Sequence, residues 1–289
     1  MNYYLHILVM LEIYILLSLS AKQMVGLSGL LSLSIAVFYG IGAFSIAILE
    51  TKLSFGFWFS MLISIFIASL SALIFSFIAN KVRDLYFSLA TIAIQIIFFS
   101  VIYNWVTLTN GPYGILGIQS PEIFGYKLST PSDFAFLGGL IVIIVLAFYA
   151  WFLKTPFCRL IKATRDDQLA VLNFGKNPNN YKNVSIIISA VIACVAGCLY
   201  ASYITYIDPT SFTLDESILI LSIILVGGAG GILGPITGAL IYILVPELLR
   251  FLSLPDSISA NLRMILFGLL LLVIIRSKPS GIFGKYQIS

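Results

Sequence analysis

Apolar positions run on for whole spans of the chain and are interrupted only briefly by polar ones. The stretches are 4–21, 26–49, 55–79, 85–103, 134–153, 184–207, 217–226, 232–245 and 262–275. A helix rises 1.5 Å per residue and needs about 20 apolar residues to cross hydrocarbon. The pattern therefore predicts about nine helical elements, two of them short. The expected fold is all-α, a polytopic transmembrane bundle of about eight to ten spans. It forms one membrane domain over 1–289. No basic stretch precedes the first apolar run and Glu12 interrupts it, which predicts a retained first span and not a cleaved signal.

Composition excludes the alternatives. Of 289 residues, 60% are hydrophobic and 10% charged, and mean hydropathy is +1.06, against about 25% charged residues in soluble domains. A net charge of +4 then speaks of orientation: cytoplasmic loops collect Lys and Arg. The segment 154–183 carries Lys154, Arg159, Lys162, Arg165, Lys176 and Lys182 against Asp166 and Asp167, so it is expected to be cytoplasmic. Working outward, Lys81 and Arg83 fall inside, while 104–133 and the acidic Asp208, Asp215 and Glu216 fall outside. Arg276, Lys278 and Lys285 return inside only if 217–245 crosses twice or re-enters. No basic stripe with interleaved aromatics points to nucleic acid.

Two stretches are poor material for a uniform helix. One is Gly227, Gly228, Ala229, Gly230 and Gly231, followed by Gly234, Pro235 and Gly238; the other combines Gly26, Gly29, Gly40 and Gly42 with Ser28, Ser32, Ser34 and Ser45. Broken or re-entrant Gly-rich backbone at membrane depth requires burial in protein or contact with water, which makes Gly227, Gly228, Gly230 and Gly231 candidates for a translocation pathway. Close helix packing through small residues is the competing explanation.

Catalytic signatures are missing. The chain has no GxxxxGK[ST], HExxH, CxxC or GxSxG, so any ATP is expected on a partner. Glu12 is the one acid inside an expected span, which argues against a proton relay. Cys158, Cys194 and Cys198 make no disulfide framework; Cys194 and Cys198 share a helix face as small packing residues. His6, the single histidine, has no companions for a metal or catalytic site.

In the cytoplasmic segment, Leu160, Ile161, Leu169 and Leu172 recur near helical spacing between charges, Gly175 stands where a helix would end and Pro178 follows. This predicts a short amphipathic helix suited to a groove on another protein, or a solvated linker.

Read as RLIKATRDDQLAVLNFGKNPNNY, residues 159–181 resemble the cytoplasmic coupling segment of the M-type permeases of branched-chain amino acid ABC importers. KVRDLYFSLATIA (81–93), NWVTLTNGPYGILGI (104–118), SILILSIILVGGAGGILGPITGALI (217–241), PELLR (246–250) and RSKPSGIFG (276–284) agree in order. Members often have an acidic-alanine stretch where this chain has Asp166, Asp167, Gln168, Leu169 and Ala170.

The resemblance implies a second homologous permease subunit, two ATP-binding subunits that hold ATP and Mg, an extracytoplasmic solute-binding protein, and a bacterial inner-membrane location. It implies no cofactor on this chain. It also casts Arg159, Thr164, Arg165, Asp166, Asp167 and Gly175 as the ATPase-coupling element. Trp105, Leu108, Thr109, Gly111, Gly114 and Gly117 match the family's outer segment, where Trp105 also suits an interfacial anchor. Asn104, Thr107 and Asn110 are candidates for the entrance, and Gln95, polar in mid-span, for the pathway, with interhelical hydrogen bonding as its alternative. The expected solutes are Leu, Ile and Val, with urea, short amides or sugars, or an ATPase-independent channel or carrier, as alternatives.

Overall fold

Hydrocarbon offers no partner for backbone N–H and C=O, so the long apolar runs close their hydrogen bonds within helices. In a computed structural model, which describes residues 2–82, 84–123, 126–250, 268, 269, 272, 276 and 281–283, α1 is Asn2–Ala21, continued by a π-helical turn over Lys22–Leu27. Then come α2 (Ile35–Leu53), α3 (Phe57–Lys81), α4 (Asp84–Asn104) and the short α5 (Val106–Thr109). Two-residue strands β1 (Ile115–Leu116), β2 (Glu122–Ile123) and β3 (Tyr126–Lys127) precede α6 (Pro131–Lys154), α7 (Pro156–Asp166), α8 (Gln168–Asn173) and α9 (Pro178–Ile204). The described order closes with β4 (Tyr206–Ile207), α10 (Leu214–Gly227) and α11 (Leu233–Arg250). Six helices are long and apolar enough to cross a membrane among the described residues. The expected run 262–275 lies largely outside the described residues, as do Arg83, Lys278 and Lys285.

The second apolar run does not start its helix at Gly26. The first helix instead continues to Leu27 and α2 begins at Ile35, leaving 28–34 non-helical. The stop is local chemistry: Ser28 Oγ donates back to the Met24 carbonyl at 2.7 Å, and Gly29 takes φ +69°, where a side chain would be strained.

α9 is the axis of the bundle, with α1, α2 and α3 packed along it. α1 runs antiparallel to it: with outer and inner named as the charge pattern expects them, His6 meets Tyr203 at the outer end (2.9 Å) and Gln23 meets Ser185 at the inner end (3.0 Å). Between them, Ser20 and Ser189 pair through their hydroxyls at 2.9 Å. Asn80 Nδ2 donates to Asn183 Oδ1 at 2.7 Å, fixing the inner end of α3. α2 lies so close to α9 that Gly42 backs onto the Cys194 backbone, and a Cβ on Gly197 would run into the Tyr39 carbonyl oxygen. Cys194 and Cys198 are buried free thiols in this seam. Because the Gly197 obstruction is backbone and cannot swing away, Gly197→Val should cost more than about 3 kcal/mol, beyond ordinary overpacking. The measurement is membrane-inserted protein in cells together with its melting midpoint in detergent; a normal yield and midpoint would show that the seam relaxes.

The 217–245 region is resolved by its contacts with α1. Tyr14, halfway along the first span, packs its ring on that of Tyr242 with centroids 4.8 Å apart and donates to Glu216 Oε1 at 3.1 Å. Ala229 instead sits against Gly26 at the inner end, and Tyr3 bonds Glu247 at the outer end. α10 is therefore a half-span of 14 residues, about 21 Å long, that begins at mid-depth and runs inward, and α11 returns outward beside it. Ile282 N and Phe283 N donate to Val226 O and Gly227 O at 3.1 and 3.0 Å, which holds these two residues beside the turn between α10 and α11. Glu216 corrects its expected place in the outer loop: it stands at the depth of Tyr14. Glu50 corrects a second expectation, because α2 runs four residues past Leu49 and buries it, with Oε2 accepting from Gln119 N at 3.1 Å. Glu12 is thus not the one acid within the bundle.

Outside, β1 pairs with β4 and β2 with β3, so the 104–133 segment and the chain after α9 are knitted into one cap. Lys127 and Glu122 add an exposed ion pair at 3.0 Å, which stabilises little by itself.

Candidate functional site

The 154–183 segment, expected in the cytoplasm from its charge, contains two short helices and not the single amphipathic helix expected. α7 begins on a Thr155 cap, whose Oγ1 accepts from Cys158 N at 3.3 Å, with Pro156 in its first position. It stops at Asp167 because that residue is extended (φ −153°) and turns its carboxylate onto the Leu169 and Ala170 amides at 2.8 and 3.1 Å. A carboxylate that caps the next helix is bonded to orphan amides and sits favourably at the dipole's positive end. α8 then ends on Gly175 (φ +70°), with Gly175 N donating to Leu172 O at 2.9 Å and Lys176 N to Val171 O at 3.2 Å. That is a Schellman closure. Asn177 then caps α9, where Pro178 takes the first position.

Cys158, Ile161 and Thr164 form the buried face of α7, and Phe157 packs on Tyr181 at 5.0 Å. Burial pushes the Cys158 thiol above its ordinary value, so it stays a neutral packing group. Thr164 is spent on its own helix, donating to Leu160 O at 2.8 Å. Arg165 reaches across instead: Nη1 donates to the Gly26 carbonyl at 2.6 Å, and its aliphatic stem covers Gly29, where a Cβ would lie 2.7 Å from Cγ. Arg159, Asp166 and Asp167 are exposed. α8 and the turn after it turn Leu169, Leu172 and Phe174 outward, 68, 51 and 83% exposed. Apolar side chains clustered and exposed in this way are candidates for contact with another molecule.

The candidate pathway residues are not gathered at one place. Gln95 is fully buried, with Nε2 donating to the Phe212 carbonyl at 2.7 Å and Oε1 accepting from Ser217 Oγ at 3.3 Å. It ties α4 to the start of the half-span. Asn104 is exposed and bonds back to Ser100 O at 2.8 Å. The Thr107 carbonyl accepts from Lys52 Nζ at 2.6 Å, and Asn110 caps α5 in a left-handed conformation. Gly227, Gly228, Gly230 and Gly231 form the inner turn between α10 and α11. Gly227 lets the Gly234 and Gly238 backbone close up on it, and Gly228 (φ +95°) lies under Gly281.

Sequence reasoning missed Lys22, which is 1% exposed in the π-helical turn with Nζ 4.7 Å from the centre of the Tyr149 ring. Its signal was legible, since Lys22 and Gln23 join two apolar runs without a turn residue between them. Phe212 was also missed; it is buried against Tyr39, Phe44 and Tyr200, at the point where the chain after β4 descends to α10.

Residues 3–275 match the family described as branched-chain amino acid transport system / permease component. The chain is 30% identical over 293 residues to the Escherichia coli K12 high-affinity branched-chain amino acid transport system permease protein LivM, covering 93% of this chain and 67% of that protein. The Salmonella typhimurium LT2 protein of the same name is 29% identical, with 94% and 68% covered. A probable branched-chain amino acid transport permease protein LivM of Methanocaldococcus jannaschii is 29% identical over 227 residues, with 74% and 64% covered. The chain therefore spans about two thirds of the length of these relatives. No solved structure matches it.

Proposed function

The chain belongs to the branched-chain amino acid transport system permease-component family, and on that premise we propose that it is the membrane-spanning permease of an inner-membrane ABC importer that carries leucine, isoleucine and valine into the cell. The observation that supports the mechanism is the pair α7 and α8: one face is anchored through Arg165 to the end of the first helix, and α8 leaves apolar side chains exposed. ATP and Mg would be held by two partner ATPases seated on that exposed face, with a second homologous permease beside this chain and a solute-binding protein on the outer cap. The chain itself contributes no ATPase chemistry in this reading.

Closure of the ATPases would push α7 and α8, and the bundle would alternate between outward and inward access. Such a switch needs two packings of different affinity for the partners' states. Only 10% of the chain is charged, which suits passage of a zwitterion that must be released as readily as it is admitted, and selection among solutes would then fall to the binding protein.

The test is uptake of labelled leucine in cells lacking the gene and in cells given it back, with isoleucine, valine, urea and ribose as unlabelled competitors. Gene-dependent uptake blocked by isoleucine and valine alone is expected. Leucine uptake that does not respond to the gene would move the substrate to another small solute.

A further inference from the structure

Between the first span and α2 the backbone runs non-helically through the protein for seven residues, 28–34. At this depth every amide needs a partner, and the partners found come from widely separated elements. Leu30 N donates to Met24 O at 3.0 Å, within the preceding turn. Leu31 O accepts from Ser88 Oγ at 2.9 Å, and Leu33 N donates to Thr91 Oγ1 at 3.0 Å, both on α4. Ala36 N, in the first turn of α2, donates to Ser217 Oγ at 3.0 Å, on the half-span α10. Ser217 also donates to Gln95, whose amide holds the Phe212 carbonyl.

The strap's inner end is the place gripped by the cytoplasmic helix. Arg165 bonds Gly26 O at 2.6 Å and packs its stem on Gly29. Ala229 of the Gly-rich turn closes on Gly26 from the other side, where a Cβ would meet the Ala229 methyl at 2.8 Å. A displacement of α7 along Arg165 thus pulls directly on one end of a segment whose other end is hydrogen-bonded at the centre of the bundle. Non-helical backbone transmits such a pull differently from a helix: it has no continuous ladder of backbone hydrogen bonds to absorb it, its internal side-chain link being Ser32 with Ser34 at 2.9 Å, so much of the load passes to the Ser88, Thr91 and Ser217 side chains that pin it.

We propose that residues 26–36 are the transmission strap of this permease, carrying the movement of α7 from Arg165 to the mid-membrane half-span, with Ser88, Thr91 and Ser217 as positioning residues. This rests on the importer reading above. The residues touch neither nucleotide nor solute; they set how much of the ATPase stroke reaches the bundle centre.

Two measurements test it. The first uses the complete importer in proteoliposomes, with its ATPases, second permease and binding protein, and follows labelled leucine carried per ATP hydrolysed. The Thr91→Val, Ser217→Ala double variant should carry about threefold less solute per ATP or lower, the scale on which such networks modulate coupling, while ATP hydrolysis continues. Thr91→Ser alone should retain the wild-type ratio, since its hydroxyl can still accept from Leu33 N. An unchanged ratio in the double variant, or uptake and hydrolysis falling in proportion, would overturn the strap. Failure of the wild-type importer to carry leucine would instead count against the substrate reading.

The second measurement does not depend on the substrate. Hydrogen exchange on the purified full chain should show that Arg165→Ala loosens amides across 30–36 and not only around Gly26 and Gly29. Exchange unchanged beyond residue 30 would mean that the grip of Arg165 is local, and the transmission role would fall.

Discussion

Replacing Arg165 with Glu should reduce uptake to that of cells lacking the gene while leaving the protein inserted and expressed. The wild-type guanidinium makes a charge-assisted bond to the Gly26 carbonyl, of a kind that contributes about 1.5–3 kcal/mol. A carboxylate in its place has no proton to offer the carbonyl and faces its lone pairs, so attraction becomes repulsion. The spans are not built on this contact, since α1 is already held to α9 by Ser20, Gln23, Ser185 and Ser189. The lesion should therefore be one of coupling. Arg165→Lys should fall between, because a point charge reaches the carbonyl without the planar fork that also covers Gly29. Membrane abundance, leucine uptake and ATP hydrolysis in the same preparation decide it. Normal uptake in the Glu variant would remove Arg165 from the coupling path, and loss of the protein from the membrane would make it a folding residue.

The sequence made the membrane class legible for a plain reason, and its charge pattern supplies the expected sidedness. An apolar run of about 20 residues has one stable use in water-excluding surroundings, and six basic residues against two acidic ones in 154–183 leave one side for that loop. Gly175 was readable too, because a glycine followed by Pro178 fits few local structures. The stop at Leu27 was not, since Ser28 and Gly29 sit in a run whose apolar character continues on both sides, and hydropathy does not register a hydroxyl that bonds its own helix. Asp167 misled in a similar way: spacing counts it as one more helix position, whereas its carboxylate competes for backbone amides and ends one helix to start another. The half-span was anticipated as a break, but its depth came only from Tyr14, which is distant in sequence from both Glu216 and Tyr242.

The pathway residues show a deeper limit. A buried glutamine in a span reads equally as a solute ligand or as a clamp, and the difference lies in which atoms face it. Gln95 faces a carbonyl at 2.7 Å and a hydroxyl at 3.3 Å, both on the re-entrant stretch. With both ends of its amide occupied, it holds the half-span in place, as the strap does from the other side.

The apolar face of α8 yields the second large effect. Leu169 and Phe174, 68 and 83% exposed, lie near the exposed Asp166 and Asp167 on a segment whose charge predicts a cytoplasmic place. Fully burying a leucine or phenylalanine side chain contributes about 1.5–3 kcal/mol, so two such anchors account for roughly two to four orders of magnitude in a partner's affinity at 1.4 kcal/mol per tenfold. Leu169→Glu with Phe174→Glu should therefore abolish co-purification of the ATPases with this chain and, with it, all ATP-driven uptake. The chain's own fold should survive, since neither side chain contributes to the core and the helix end is held by Gly175 and Asp167. The comparison that matters is with Arg165→Glu: that variant should keep its ATPases and fail to use them, whereas the α8 variant should lose them. If the double variant still captures the ATPases at wild-type yield, the docking surface lies elsewhere on the cytoplasmic side, and α7 with its exposed Arg159 becomes the next face to test.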